Sequence, residues 1–294
     1  MSDLPGYLVY RGLSGVFGLF PEPLVRGAGR GLGKGLSHVA GERFALGKRH
    51  MRRALGPDAP DAEVEAATRE MFASYGRYWA EVFWFRVRRK EEVVDRARVT
   101  GLEHLDDARE QGRGIILALP HIGNWDVAGA VAEALEMPVM AVVEDLPNRR
   151  IQEWFYDTRK AFGIDPVVAG EPETVRKLLR CLKDGGVVAL VSDRDVTGSG
   201  VDVEFFGEKT TMPGGPAAMA DRTGAAMVPV APFFAEGAGY DMIIYPELEL
   251  PSDGSRADRV RAGTQAYADA LEEIIRDRPT QWHIMVPNWP SDVP

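Results

Sequence analysis

The alternation of apolar runs with helical segments sets the expected fold class. From about residue 114 onward, short apolar runs are separated by segments whose apolar residues recur at helical spacing. The runs are GIILALP, PVMAVVE, GGVVALVS, AAMVPVAPFF and YDMIIYPELEL, and the predicted helices span 124–136, 149–162, 173–184, 214–223 and 257–277. Strands that are apolar on both sides indicate a sheet covered by helices. The pattern predicts an α/β fold with a mostly parallel central sheet flanked by helices on both faces.

The first hundred residues follow a helical pattern instead. Residues 61–89 predict one long helix with an aromatic cluster, formed by Tyr75, Tyr78, Trp79, Phe83, Trp84 and Phe85. Aromatic residues at helical spacing usually belong to a core. We therefore divide the chain into an N-terminal helical segment, residues 1–100, packed on an α/β core, residues 101–294, the two forming one integrated domain.

Charge is distributed unevenly along the chain. The formal net charge is -9, yet residues 1–53 hold nine Lys or Arg against three acidic residues. In residues 1–36 arginines are interleaved with apolar side chains, namely Leu8, Val9, Leu13, Val16, Phe17, Leu19 and Phe20. No run reaches the ~18 apolar residues of a membrane span. The pattern predicts either an interfacial helix on an anionic membrane surface or an ordinary helix docked on the protein.

Composition also excludes several classes of partner. The basic segment is too apolar for a nucleic-acid site, and the acidic remainder of the chain would repel a phosphate backbone. The single cysteine, Cys181, cannot form an intramolecular disulfide and is expected to be inert packing. No cluster of cysteines and histidines surrounds it, so we expect no metal.

Polar side chains follow two of the predicted strands. His121 comes directly after the first apolar run, and Asp193 and Arg194 come after the third. Ligands of parallel α/β sheets bind at the carboxyl ends of the strands. If these two strands are neighbours, His121 and Asp193 lie close together.

The stretch HIGNWD, residues 121–126, contains a second possible partner for the histidine. Asn124 is a natural N-cap, so Asp126 would lie in the first helical turn. Residues five apart are about 140° apart on an ideal helix, and a contact requires the turn that Gly123 permits. We predict that Asp126 fixes the tautomer of His121, as the acid does in a base–acid dyad. The alternative is that His121 merely ends a strand.

These residues carry a resemblance to a known family. His121 and Asp126 match the HX4D motif of glycerolipid acyltransferases, and HIGNWD resembles the lipid A biosynthesis lauroyl/myristoyl acyltransferase superfamily. Three further blocks support it, namely YDTRKAFGIDPV, VSDRDVTGSGVDVEFFGEKTTMPGGPAAMADRTGAA and QWHIMVPNWP. The resemblance is closest to the actinobacterial branch, the phosphatidylinositol mannoside acyltransferases. Gram-negative members have a spanning N-terminal helix and usually HX4E, whereas this chain has an amphipathic N-terminus and a motif that ends in Asp126.

The resemblance implies a reaction at the cytoplasmic face of the plasma membrane. A long-chain acyl group, expected to be palmitoyl, would pass from acyl-CoA to a mannose hydroxyl of a phosphatidylinositol mannoside. His121 would be the general base. Acyl-CoA is a co-substrate, and no other cofactor is expected. Because the chain has no G-x-S-x-G elbow, direct attack by the acceptor hydroxyl is simpler than a serine acyl-enzyme.

The resemblance also points to further site residues. It implies that Asp193 helps to orient the histidine or the acceptor hydroxyl, and Glu204, on an expected hairpin, is a weaker rival for that role. Arg159 matches a position that faces the acyl donor. The substrate-binding candidates are Asn124, Glu144, Arg159, Arg194 and Glu204, with Arg194 suited to a phosphate and able to pair with Asp195 instead. Each of these charges is alternatively an ordinary surface residue.

Two other functions remain open. A glycerol-3-phosphate, lysophospholipid or lipid A-type acyltransferase shares the motif, although no EGTR-like phosphate-binding block follows it here. A non-catalytic membrane-binding protein on the same fold belongs to a different class, and the intact HX4D and SDRD sequences argue against it. The aromatic cluster would line an acyl groove if it is not core.

Overall fold

The computed structural model describes residues 4–85 and 89–293. The strands are β1 (Ala97–Thr100), β2 (Ile115–Leu119), β3 (Val139–Val143), β4 (Ile164–Val168), β5 (Val187–Val191), β6 (Val201–Phe205), β7 (Glu208–Met212), β8 (Ala226–Phe234) and β9 (Tyr240–Ile244). The helices are α1 (Leu4–Phe17), α2 (Glu22–Leu36), α3 (Glu42–Leu55), α4 (Asp61–Trp84), α5 (Lys90–Val94), α6 (Asp106–Glu110), α7 (Trp125–Ala134), α8 (Arg149–Ala161), α9 (Pro172–Lys183), α10 (Gly215–Thr223) and α11 (Arg256–Asp277).

Seven of these strands form one sheet in the order β1-β9-β8-β2-β5-β3-β4. β2 is central and pairs in parallel with β5 on one side and β8 on the other. Only the β8–β9 pair of this sheet is antiparallel in the described residues, and β6 and β7 form a separate antiparallel ribbon. Helices pack against the sheet, which confirms the predicted α/β class and mostly parallel sheet.

All five apolar runs are strands, but two edge strands were not predicted. β1 is short and half exposed, and β4 contains Asp165 and Pro166, so neither shows a continuous apolar run. The prediction of one helix over 61–89 was wrong at its end, because α4 stops at Trp84. Residues 86–88 of that prediction lie outside the described residues.

The N-terminal segment forms helices that pack on α4 and α8. α1 and α2 are separated by a break that includes Pro21, which cannot donate a helical hydrogen bond. Within the described ranges, none of the helices combines the length and the apolar character that a transmembrane span requires.

Three glycines let α2 approach α4 unusually closely. A Cβ atom built on Gly33 would lie 2.0 Å from the carbonyl oxygen of Phe72, and one on Gly76 would lie 2.2 Å from the oxygen of Gly29. Backbone atoms cannot move aside as the end of a flexible side chain can. The glycines on this face of α2 are therefore required for its position against α4.

Alanine substitutions in α2 should distinguish the effect of close packing against α4 from the effect of helix propensity. Gly33→Ala should lower the free energy of unfolding by about 1–3 kcal/mol, because α2 must move away from α4. Gly35→Ala is the control, since no atom lies within 4 Å of its Cβ position. It should stabilise the helix by up to about 1 kcal/mol. Thermal unfolding of both variants decides, and equal melting temperatures would contradict the close-packing explanation.

Candidate active site

His121 and Asp193 are in direct contact at the carboxyl ends of β2 and β5. The side chain of His121 is 31% exposed, whereas that of Asp193 is completely buried. His121 Nδ1 lies 2.6 Å from Asp193 Oδ1, and the His121 backbone N–H donates to Asp193 Oδ2 at 2.9 Å. With Nδ1 bonded to the carboxylate, Nε2 is the ring nitrogen left to accept a proton.

The environment keeps Asp193 ionised. Burial alone would raise its pKa, but the interaction with His121 and hydrogen bonds from His121 and Trp282 outweigh burial and hold the pKa below its ordinary value. Trp282 Nε1 donates to Asp193 Oδ2 at 2.8 Å. A carboxylate that stays charged can stabilise the imidazolium that forms when His121 takes a proton.

The turn after His121 is built from close backbone contacts. Gly123 has φ +55°, and a Cβ atom there would lie 1.9 Å from the carbonyl oxygen of Pro232. Its N–H donates to the carbonyl of Gln281 at 3.0 Å, and Asn124 N–H donates to that of Pro232 at 2.8 Å. Only a glycine fits this position, as the sequence led us to expect of the turn.

The turn does not bring Asp126 to His121, so the predicted contact between them was wrong. Asp126 Oδ1 instead accepts from Arg159 Nε at 2.8 Å, and its Oδ2 accepts from the hydroxyl of Tyr78 at 3.0 Å. As the second residue of α7, Asp126 points toward α4 and α8 rather than back to the strand end. Burial lowers the pKa of Arg159, but Asp126 outweighs this and raises it overall.

Asn124 is the N-cap of α7, as its position predicts, and accepts from Val127 N–H at 3.3 Å. Its amide donates to Glu81 Oε2 at 2.8 Å, and the residue is completely buried. Glu81 Oε2 also accepts from Tyr240, while Oε1 accepts from Arg77 Nε at 2.7 Å. Because Asn124 does not line the cavity described next, its assignment as a substrate-binding residue was wrong.

A cavity of about 560 Å³ begins at His121 and lies between α7 and the sheet. From the ring of Trp125, which meets His121 edge to face at 5.5 Å, it follows α7 past Ala128 and Ala132. Its far wall contains Leu105, Met137 and Ile244. Most of its wall is aliphatic, with polar side chains at one end. Tyr78 and Trp79 of the aromatic cluster also line it, whereas Trp84 and Phe85 are buried in the core.

The structure places the remaining candidates in two groups. Glu144, Arg159 and Arg194 line the cavity, and in the described part of the chain no residue bonds to the guanidinium of Arg194. Asp195 does not pair with it, because its carboxylate accepts from Thr197, Gly198, Gly200 and Thr211. Glu204 is exposed on β6 and does not line the cavity, so the expectation that it competes with Asp193 was wrong.

Sequence reasoning missed two residues that touch this centre. Trp282 and His283 belong to the block QWHIMVPNWP, to which the sequence assigns no role in the site, yet the indole of Trp282 bonds to Asp193. His283 is buried, and its backbone N–H donates to the carbonyl of His121 at 2.7 Å. Burial lowers the pKa of His283 to about 3, so its ring stays neutral. The two residues lie about 160 positions after His121, and no local spacing could have connected them.

No group of three or more His, Cys, Asp or Glu in the described ranges is arranged to hold a metal ion. The polar atoms of the site instead suit proton transfer at His121 and binding of an anion at Arg194. An apolar cavity that opens at a histidine–carboxylate pair fits acyl transfer to a hydroxyl.

Comparison with known proteins agrees with this geometry. Residues 3–291 match the family described as bacterial lipid A biosynthesis acyltransferase. The chain belongs to this family. It is therefore an acyltransferase of lipid biosynthesis.

Individual relatives are similar over most of their length. The phosphatidylinositol mannoside acyltransferase of Mycolicibacterium smegmatis is 38% identical over 84% of this chain and 79% of its own. That of Mycobacterium tuberculosis is 38% identical over 84% of this chain and 77% of its own. A lipid A biosynthesis acyltransferase of Haemophilus influenzae is 26% identical over 77% of this chain and 69% of its own.

Proposed function

We propose that this acyltransferase moves a long-chain acyl group, palmitoyl, from acyl-CoA to a mannose hydroxyl of a phosphatidylinositol mannoside, with His121 as the general base. The observation that carries this proposal is the position of His121 at the mouth of an apolar cavity, bonded to a buried carboxylate. The names of the two mycobacterial relatives support the choice of acceptor. The similarity is greater to them than to the Haemophilus lipid A enzyme, which favours the mannoside over a lipid A precursor.

The reaction needs one proton carrier. The acceptor hydroxyl gives its proton to His121 Nε2 as its oxygen attacks the thioester carbonyl, and a C–O bond forms. Asp193 stabilises the imidazolium through Nδ1. When the tetrahedral intermediate collapses, the C–S bond breaks and the CoA thiolate takes the proton back from His121. His121 and Asp193 end in their starting states, so no metal or further cofactor takes part in this scheme.

In this proposal the cavity holds the acyl chain, and the residues at its rim bind the polar parts of the donor and the acceptor. The aliphatic wall along α7 would hold the acyl chain, and burying each methylene contributes about 0.8 kcal/mol. Arg194 would bind a phosphate of the donor, since its guanidinium has no partner in the described ranges. Glu144, on the same rim, would accept from hydroxyl groups of the acceptor. Asp126 would act by fixing Arg159 and Tyr78 in the cavity wall, and not through His121.

The decisive experiment measures thiol release from palmitoyl-CoA with and without a phosphatidylinositol mannoside. The wild type should release CoA faster with the acceptor present. His121→Ala and Asp193→Asn should each lose about 10²-fold or more in kcat, because both disable the general base. His38→Ala is the matched control, since His38 is exposed and its side chain bonds only to Arg69 among the described residues.

Three outcomes would contradict the proposal. Full activity of His121→Ala would show that His121 is not the general base. Faster release with a lysophospholipid or a lipid A precursor than with the mannoside would show that the acceptor is that lipid. No release with any acceptor would favour a non-catalytic membrane-binding protein on this fold.

Filling the cavity should change the preferred chain length. Ala132 lies two helical turns beyond Trp125 and lines the cavity, so Ala132→Phe would shorten the space for the chain. Activity with palmitoyl-CoA should fall at least about tenfold relative to octanoyl-CoA. Ala134→Phe, exposed on the same helix, should keep the wild-type preference. An unchanged ratio in Ala132→Phe would place the acyl chain elsewhere.

We further propose that α1 and the connection to α2 contact the cytoplasmic face of the plasma membrane as a peripheral surface. Leu8, Val9 and Leu19 are 56%, 59% and 83% exposed, which is costly for large apolar side chains in water. Arg11, beside them, forms no ion pair with a described residue and suits an anionic headgroup. On the opposite side of α1, Tyr10 lines the cavity, so the same helix would join membrane and active site.

Vesicle binding tests this surface. The double substitution of Leu19 and Phe20 by Ser should lower partitioning to vesicles of anionic phospholipid at least about tenfold, because two apolar side chains are lost from the interface. Val175→Ser is the control, as Val175 is 57% exposed on α9, away from the N-terminal helices. If both proteins bind vesicles as the wild type does, the apolar surface has another role.

A further inference from the structure

A C-terminal strap, residues 281–292, runs alongside the catalytic turn. Gln281 accepts from Gly123 N–H at 3.0 Å, and His283 N–H donates to the carbonyl of His121 at 2.7 Å. Between these two hydrogen bonds, Ile122 and Trp282 form an isolated antiparallel bridge. The strap therefore fixes the backbone on both sides of Ile122, immediately after the base.

The side chain of Trp282 also reaches the carboxylate that supports the base. Its indole N–H donates to Asp193 Oδ2 at 2.8 Å, and both side chains are completely buried. The other two donors to this carboxylate in the described ranges, the backbone N–H and the ring of His121, belong to the histidine itself. Trp282 is thus the contact that fixes the carboxylate independently of His121.

We propose that Trp282 is a positioning residue for the reaction: its indole N–H holds the plane of the Asp193 carboxylate so that Oδ1 stays aligned with His121 Nδ1. The proposal rests on the proposed function, in which His121 takes the hydroxyl proton. A hydrogen bond to the partner of a reactive group orients that group, and losing such a bond in metal sites costs about 10–100-fold in activity. Trp282 does not line the cavity, so it acts through Asp193 and not on the substrate.

His50 of α3 holds the strap at two points, one near its beginning and one at its end. Both ring nitrogens of His50 face oxygen atoms of the strap, Nδ1 the carbonyl of Ile284 at 2.9 Å and Nε2 the carboxylate of Asp292 at 3.1 Å. Trp289 donates through its indole to the carbonyl of Phe205 at 3.1 Å, and in the described ranges it makes no hydrogen bond to Asp193. The strap therefore contains two buried tryptophans of the same hydrogen-bonding chemistry, only one of which contacts the carboxylate.

Trp282→Phe and Trp289→Phe form a matched pair, since each removes one indole N–H and keeps a large ring. In Trp282→Phe we expect kcat to fall about tenfold or more with an unchanged KM for palmitoyl-CoA. The acid limb of kcat against pH should move to higher pH, because the carboxylate loses a donor that stabilises its charge. Trp289→Phe should lower the melting temperature but keep the wild-type kcat and pH limb.

A second measurement does not depend on turnover. The proton of the hydrogen bond between His121 Nδ1 and Asp193 Oδ1 can be observed by ¹H NMR in ¹⁵N-histidine-labelled protein, with His121→Ala to assign its signal. The chemical shift of this proton should change in Trp282→Phe and keep its wild-type value in Trp289→Phe. If the wild type transfers no acyl group, the proposed function fails, and this signal still tests the contact.

The proposal is overturned if Trp282→Phe keeps the wild-type kcat and the wild-type chemical shift of the His121 Nδ1 proton, or if both tryptophan variants change alike. Trp282→Tyr is the second variant, with a ring but no donor at the position of the indole nitrogen, and should behave as Trp282→Phe. If neither folds while Trp289→Phe does, Trp282 is structural and the proposal fails.

Discussion

The site depends on one constraint: two parallel neighbouring strands end in register at the same edge of the sheet. Leu119 of β2 is paired with Val191 of β5, and His121 and Asp193 each follow two residues later. Their contact therefore follows from strand pairing. The carboxylate of Asp193 is buried, which would cost several kcal/mol without partners, and three hydrogen bonds offset that cost. Two of the donors belong to His121, at the end of β2, and one belongs to Trp282 of the C-terminal strap. Both parts of the chain therefore stabilise the negative charge of Asp193.

A second buried carboxylate supports the helix that follows. Burial raises the pKa of Glu81, and its bonds to Arg77, Asn124 and Tyr240 oppose that rise. Through Asn124, this network holds the first turn of α7 against α4 and β9. Arg77 also lies over the ring of Phe234, 4.0 Å from its centroid. The N-terminal helices thus shape the active site, although every residue of the HX4D motif comes from the α/β core.

How much the sequence predicts depends on how local each signal is. The five apolar runs, the cap at Asn124 and the turn at Gly123 are local patterns, and all appear as expected. The nearness of Asp193 required only that β2 and β5 be neighbours. The partner of Asp126 could not be predicted, because Tyr78 and Arg159 reach it from helices whose packing leaves no local pattern. The same holds for Trp282, whose contact with Asp193 spans 89 positions.

The separation of His121 from Asp126 has a consequence for reading the HX4D motif in this chain. The glycine turn directs the histidine toward β5 and the cavity mouth, while the helix it starts directs the aspartate toward Arg159. A short motif thus supplies two different charge pairs. One pair involves the residue proposed to carry the proton, and the other joins α7 to α8 across the cavity wall. A substitution of Asp126 would therefore be expected to alter the shape of the acyl site, whereas one of Asp193 would remove the carboxylate that holds the ring of His121.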